Sequence, residues 1–208
     1  KTMGNIDFKI EPLFAEPLFR TNISSAISEE QIRFIQQLKM VNNQTNLISE
    51  DLYIFERPEL ASIAEAVEEA LQTFAREVIG VQQTLYVTQS WSLVNPPGAG
   101  MHGHTHSNSI VSGSLYYAPL QSPAANMIFD RHRTYQQIQL RPEAEKTNIF
   151  NAPYRVVSPA QGDLILFSSD LQHLVEPNAT KSDRHSIAFN SFVKGTFGDF
   201  RNVSELKL

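Results

Sequence analysis

Apolar positions recur at helical spacing early in the chain and at strand spacing later. Ser28-Glu29-Glu30-Gln31 has the spacing of a capping box, with Ile27 and Ile32 placed as a hydrophobic staple. Beyond it Phe34, Leu38 and Val41 fall at i, i+4 and i+7, with Ile35 beside them and Arg33, Gln36, Gln37 and Lys39 opposite. That pattern predicts an amphipathic helix with an acidic first turn. A longer helix is predicted after Pro58, where Leu60, Ile63, Ala64, Val67, Ala70, Leu71, Phe74 and Val78 share helical spacing and Gly80 marks the end. Both apolar stripes are expected to pack on the domain's own sheet rather than on a partner. Upstream, Phe8-Lys9-Ile10 and Pro17-Leu18-Phe19, within residues 6–23, read as short opening strands broken by Pro12 and Pro17.

From Thr84 the period changes to two. β-rich runs lie near residues 84–94, 109–118, 125–130, 154–158, 163–168, 173–176 and 185–194. Asn95-Pro96-Pro97-Gly98, Pro119, Pro159-Ala160-Gln161-Gly162-Asp163 and Pro177-Asn178 punctuate them as turns. Helices followed by about eight short strands predict an α+β jelly roll whose amino-terminal helices pack on one sheet. Trp91 and Phe167 are expected in the core between its sheets. The stretch 131–153 is long for an irregular connection, and such loops are usually functional or mobile.

A chain of 208 residues suits one domain with a substantial core. The expected division of 1–208 is a helical and opening-strand support region (1–83), a catalytic jelly-roll core (84–195) and a tail (196–208). Apolar residues make up 41% and charged residues 19%, an ordinary globular balance. The net charge of −5 offers no basic field, which disfavours nucleic-acid and anionic-membrane partners. Without cysteine there is no disulfide, thiolate metal site or thiol nucleophile, and a reducing cytoplasm is the expected compartment. Apolar stretches fall far short of the roughly 20 residues that span a bilayer, and no secretory leader is legible.

The chemistry concentrates on histidine. His102, His104 and His106 stand at i, i+2 and i+4, so on an extended segment all three share one face, though only two neighbours normally reach one ion. A third imidazole from a distant strand, such as His173 beyond the apolar run Leu164-Ile165-Leu166-Phe167, can close a three-ligand facial site. Open facial sites, usually two His and a carboxylate, are the mark of non-haem Fe(II) oxygenases. Arg184, eleven positions after His173, can hold the carboxylate of an organic co-substrate, and Ser186 shares its face by the period of two.

The set Ser90-Trp91, His104-Thr105-His106-Ser107-Asn108-Ser109, Ser112-Gly113, Tyr116, Gly162-Asp163-Leu164-Ile165-Leu166-Phe167, His173 and Arg184-His185-Ser186-Ile187-Ala188-Phe189-Asn190 resembles the small 2-oxoglutarate/Fe(II) oxygenases of phages and bacteria. The likeness covers about residues 86–193. It implies a double-stranded β-helix (jelly-roll, cupin-like) fold with Fe(II) in its mouth, held by His104, His106 and His173. It further implies Arg184 as the cation for the distal carboxylate of 2-oxoglutarate, with Ser186 and Tyr116 adding hydroxyls there. The activity it implies is oxidative decarboxylation of 2-oxoglutarate coupled to hydroxylation of a substrate, small or macromolecular, that the sequence does not identify, nor does it indicate an oligomeric state.

One departure stands out: the wider superfamily usually carries Asp or Glu where this chain has His106. Three neutral imidazoles leave the metal one unit more positive. Asp130, at a strand end, is the alternative source of a carboxylate, and His102 is an alternative second imidazole. Arg184 can instead pair with Asp183 or Asp170, and Tyr116 can be a core aromatic. Arg131, His132 and Arg133 open the long loop and either recognise a polar substrate or face solvent. Two rival functions use the same fold: a cupin-like metal enzyme without 2-oxoglutarate, and a non-catalytic jelly-roll binding or structural module.

Overall fold

Ser28 caps the first helix as its spacing predicts. Its Oγ accepts from the Gln31 N–H at 3.2 Å and its own N–H donates to Gln31 Oε1 at 2.9 Å. The computed structural model describes residues 7–131 and 142–208. Helix α1 (Glu29–Gln36) buries Ile32 and Ile35. It stops short of Val41, where the apolar spacing predicted it would run. Met40–Asn43 is instead strand β2, returning through a turn with Gln44 at φ 58° to β3 (Asn46–Ser49). Pairing of Leu47 and Ile48 with Val94 and Leu93 across the sheet overrides the local helical pattern. Helix α2 (Ala61–Phe74) buries Ile63, Val67, Ala70, Leu71 and Phe74, continues as a π-turn over Ala75–Ile79, and ends at Gly80 in the left-handed region (φ 78°).

Two antiparallel sheets form the jelly roll. The large sheet runs β1 (Leu18–Asn22), β9 (Asp163–Ser168), β6 (Val111–Leu115), β11 (Arg184–Lys194), β4 (Thr84–Asn95), β3, β2. The small sheet runs β5 (Met101–His104), β10 (His173–Val175), β7 (Met127–Asp130), β8 (Tyr154–Val157). Of the predicted opening strands only Leu18–Asn22 forms, and the tail holds an unforeseen hairpin of β12 (Thr196–Phe197) and β13 (Leu206–Lys207). Among the described residues no helix is long and apolar enough to cross a membrane.

β9 reads as an unbroken apolar run because both its faces are covered. Leu164 and Leu166 join the helix-side cluster, while Ile165 and Phe167 pack with Tyr116, Met127 and Phe129 between the sheets. Gly113 is required by that packing: a Cβ there would collide with the Phe189 ring. On β4 a bulge at Thr88, skipped between Val87 and Gln89 in the pairing with β11, switches the alternation. Leu85 and Val87 pack toward the helices, whereas beyond the bulge Gln89, Trp91, Leu93 and Asn95 turn toward the small sheet.

Candidate metal centre

β5 and β10 place His104 directly opposite His173. His106 lies just past the end of β5, its N–H donating to the Ser169 carbonyl at 2.9 Å. The ligand atoms of these three imidazoles all lie within 4.8 Å of one another. His104 Nδ1 lies 2.8 Å from the His102 carbonyl, and His173 Nδ1 lies 3.0 Å from that of Leu171. A carbonyl only accepts, so each Nδ1 carries the proton and each Nε2 presents a lone pair. His173 Nε2 and His106 Nε2 face each other at 3.4 Å.

Burial, with the crowding of neighbouring imidazoles adding to it, pushes His106 down to about 4 and His173 down to about 3. Both rings are therefore neutral near pH 7 and available to a cation. Phe129 and Phe167 wall off His173, their ring centroids at 5.8 and 4.6 Å from it. Trp91, expected in the core, is only half-buried and lies 6.4 Å from the His106 ring. The bulge at Thr88 puts it there, a shift that the apolar pattern does not reveal.

The other candidates stand apart. His102 is exposed, and what it contributes is its backbone carbonyl under His104. Asp130 follows Phe129, whose ring faces His173, so the alternation of β7 directs the carboxylate to the other side. Among the described residues, the convergent group contains three imidazoles and no carboxylate. Arg131 donates to the carbonyls of Ile149 and Phe150, fastening the loop rather than facing a ligand. His132 and Arg133 lie outside the described residues.

Arg184 is buried between the sheets, and neither Asp183 nor Asp170 pairs with it. Asp170 instead accepts from Ser168 Oγ at 2.7 Å. The guanidinium donates to Tyr116 Oη at 3.2 Å and to Asn95 Oδ1 at 3.5 Å, and stands 5.0 Å from the Tyr116 ring centroid. Among the described residues its Nε has no partner. Ser186 is buried on the same face. A buried cation with neutral neighbours and a free donor is costly unless an anion joins it. Asn95 reads in the sequence only as the start of a turn; its register opposite Arg184 brings it here.

Residues 89–190 match the family model described as "Putative 2OG-Fe(II) oxygenase". No curated protein matches the chain. Among solved structures, HygX from Streptomyces hygroscopicus with nickel and 2-oxoglutarate bound superposes with a TM-score of 0.60 at 16% identity, over 85% of this chain and 82% of that one. A Pseudomonas putida prolyl-4-hydroxylase gives 0.57 at 14% identity, over 86% and 94%. A 2OG-Fe(II) oxygenase family protein from Burkholderia pseudomallei gives 0.58 at 11% identity, over 84% and 83%. At such identities the likeness establishes the shared double-stranded β-helix.

Proposed function

We propose that this chain, whose residues 89–190 belong to the 2-oxoglutarate/Fe(II) oxygenase family, binds Fe(II) through His104, His106 and His173 and holds the distal carboxylate of 2-oxoglutarate at Arg184. Tyr116 and Ser186 complete the carboxylate site. The reaction is hydroxylation of a small-molecule or peptide substrate, and the cysteine-free composition suits a cytoplasmic setting. The observation that carries this reading is the buried Arg184, with an unsatisfied Nε and no carboxylate partner, in the same inter-sheet space as three converging imidazoles.

The residues fit both groups. Imidazole nitrogen suits ferrous iron, and the two backbone carbonyls at Nδ1 keep the Nε2 lone pairs of His104 and His173 aimed inward. A guanidinium offers a carboxylate two parallel donors, and the Tyr116 hydroxyl, already at Arg184, fixes orientation. Phe129 and Phe167 keep water from the His173 side. Iron and 2-oxoglutarate together supply the oxidising chemistry, while the protein supplies binding and orientation.

One observation favours a rival: the all-imidazole donor set also suits a cupin-like metal enzyme that takes no 2-oxoglutarate. Anaerobic titration separates them. Fe(II) followed by 2-oxoglutarate should produce a weak visible metal-to-ligand charge-transfer band. Metal binding without that band supports the cupin-like reading, and failure to bind either supports a non-catalytic jelly roll.

A further inference from the structure

Two connections between the sheets lie together at the Arg184 end of the molecule. Residues 96–100 run from Asn95 on β4 to β5, which carries His104. Residues 176–183 run from β10, which carries His173, to Arg184 on β11. A ligand reaching from the imidazoles to Arg184 spans both sheets, so the length it can have depends on how these crossings are joined.

They are joined at Asn178, which is 2% exposed. Its N–H donates to the Ala99 carbonyl at 2.9 Å, and its carbonyl accepts from the Gly98 N–H at 2.7 Å. Its Nδ2 donates to the carbonyls of Asn95 and Ser182, each at 2.8 Å. Its Oδ1 accepts from the Thr180 N–H at 3.1 Å and from Thr180 Oγ1 at 2.8 Å. Carbonyls only accept and a backbone N–H only donates, so the carboxamide fits one way round. Beside it, a Cβ on Gly100 would stand 2.6 Å from the Val175 carbonyl, so the two crossings touch backbone to backbone.

Turn chemistry accounts for half of this. An Asn oxygen that accepts from the N–H two residues on makes an ordinary Asx turn. The nitrogen is not needed for that turn, yet it reaches both strands of the carboxylate site. Asn95 is the register partner of Arg184, and Ser182 lies two residues before Arg184. The Asn95 side chain has one orientation as well. Its Nδ2 donates to the Gly100 carbonyl at 3.2 Å, which leaves Oδ1 to the Arg184 guanidinium at 3.5 Å. Asn178 thus holds the backbone beneath Arg184 and its partner, and through Gly98 and Ala99 it holds the crossing that leads to β5.

We propose that Asn178 is a positioning residue that fixes the span from the metal to Arg184, and so selects the five-carbon 2-oxo diacid over its six-carbon homologue. This rests on the 2-oxoglutarate reading. Asn178 acts through Asn95 and the start of β11. The imidazoles are anchored separately, by the pairing of His104 with His173 and by the carbonyls at their Nδ1 atoms. Loss of Asn178 therefore loosens the Arg184 side and spares the metal set.

Anaerobic calorimetry on the iron-loaded protein compares 2-oxoglutarate with 2-oxoadipate, one methylene longer, and with 2-oxobutanoate, which has no distal carboxylate. One misplaced methylene is worth about tenfold or more in a fitted site, so the wild type should prefer 2-oxoglutarate to 2-oxoadipate by about tenfold. Asn178→Ala should shrink that preference to about threefold or less, with the affinities for Fe(II) and 2-oxobutanoate kept. In the ligand-free variant the Arg184 Nε–H resonance should move from its wild-type position. Gly113→Ala, which loses stability on the helix face of the sheet, should keep the wild-type preference. A wild type that shows no preference overturns the proposal, as does an unchanged preference or an unmoved Arg184 resonance in Asn178→Ala. So does a 2-oxobutanoate affinity that falls with that of 2-oxoglutarate, or a preference that falls as far in Gly113→Ala. Should Asn178→Ala not fold, Thr180→Val, which takes one of the two donors from Oδ1, decides. Its preference should fall by about twofold, and a wild-type value overturns the proposal. A wild type without the charge-transfer band overturns the 2-oxoglutarate reading and this proposal with it, whereas a normal band with an unchanged preference overturns this proposal alone.

Discussion

Alternate residues of β6 and β11 build two unlike surfaces. Toward the helices, Val111, Leu115, Ile187 and Phe189 are buried in one apolar cluster with Ile63, Val67, Leu71 and Phe74 of α2. Toward the small sheet, the same strands present Ser112, Ser114, Tyr116, Arg184, Ser186 and Asn190. Because successive side chains point to opposite faces, one strand carries the stabilising core and the chemistry at once without mixing them. Burying the apolar face contributes on the order of 1.5–3 kcal/mol for each large side chain. The other face accepts an unpaired buried cation, which such a core makes tolerable. Substitutions on the helix face should move stability alone, and those on the inner face should move ligand binding.

The largest effect should come from His173→Ala. Two remaining imidazoles do not make a facial set, so stoichiometric iron binding should vanish while circular dichroism and the urea midpoint stay near wild type. His102→Ala, which keeps the backbone carbonyl under His104, should leave the iron titration nearly unchanged. Iron lost in His102→Ala and kept in His106→Ala would overturn the ligand assignment.

Arg184→Met sharpens the contrast from the co-substrate side. Removing one partner of a desolvated charge pair costs about 2–5 kcal/mol, so 2-oxoglutarate should bind about 30-fold weaker or worse in calorimetry, with iron binding retained. The same change removes a buried cation that has no carboxylate partner, so the ligand-free protein should gain stability, by about 1 kcal/mol. A destabilised ligand-free variant would mean that Arg184 serves the fold.

On the helix face, Gly113→Ala forces a methyl group into the Phe189 ring. Overpacking of this kind costs about 1–3 kcal/mol, readable as a lower urea midpoint, and the folded protein should still bind iron. Smallest is Ser28→Ala, which removes the cap of α1 and should cost about 1 kcal/mol with no effect on either ligand. A change in iron affinity in either variant would show that the two faces are coupled.

Much of this was legible one residue at a time. The capping box at Ser28, the stop at Gly80 and the doubly apolar β9 are local signals, and each forms where its spacing predicts. Helix α1 ran short of its prediction because β3 had a better partner in β4, and pairing between distant segments leaves no periodic trace in either one.

The sequence by itself determined which residues are able to do chemistry: three imidazoles, a guanidinium, a tyrosine and a serine in an order that resembles one family. Tertiary structure alone decided which of them meet. It gathered His104, His106 and His173, turned Asp130 away and left Arg184 without a carboxylate. A single bulge at Thr88 brought Trp91 to His106 and Asn95 to Arg184. The reason is geometric: residue type sets what a side chain can donate or accept, whereas strand register and one skipped residue set the face it occupies.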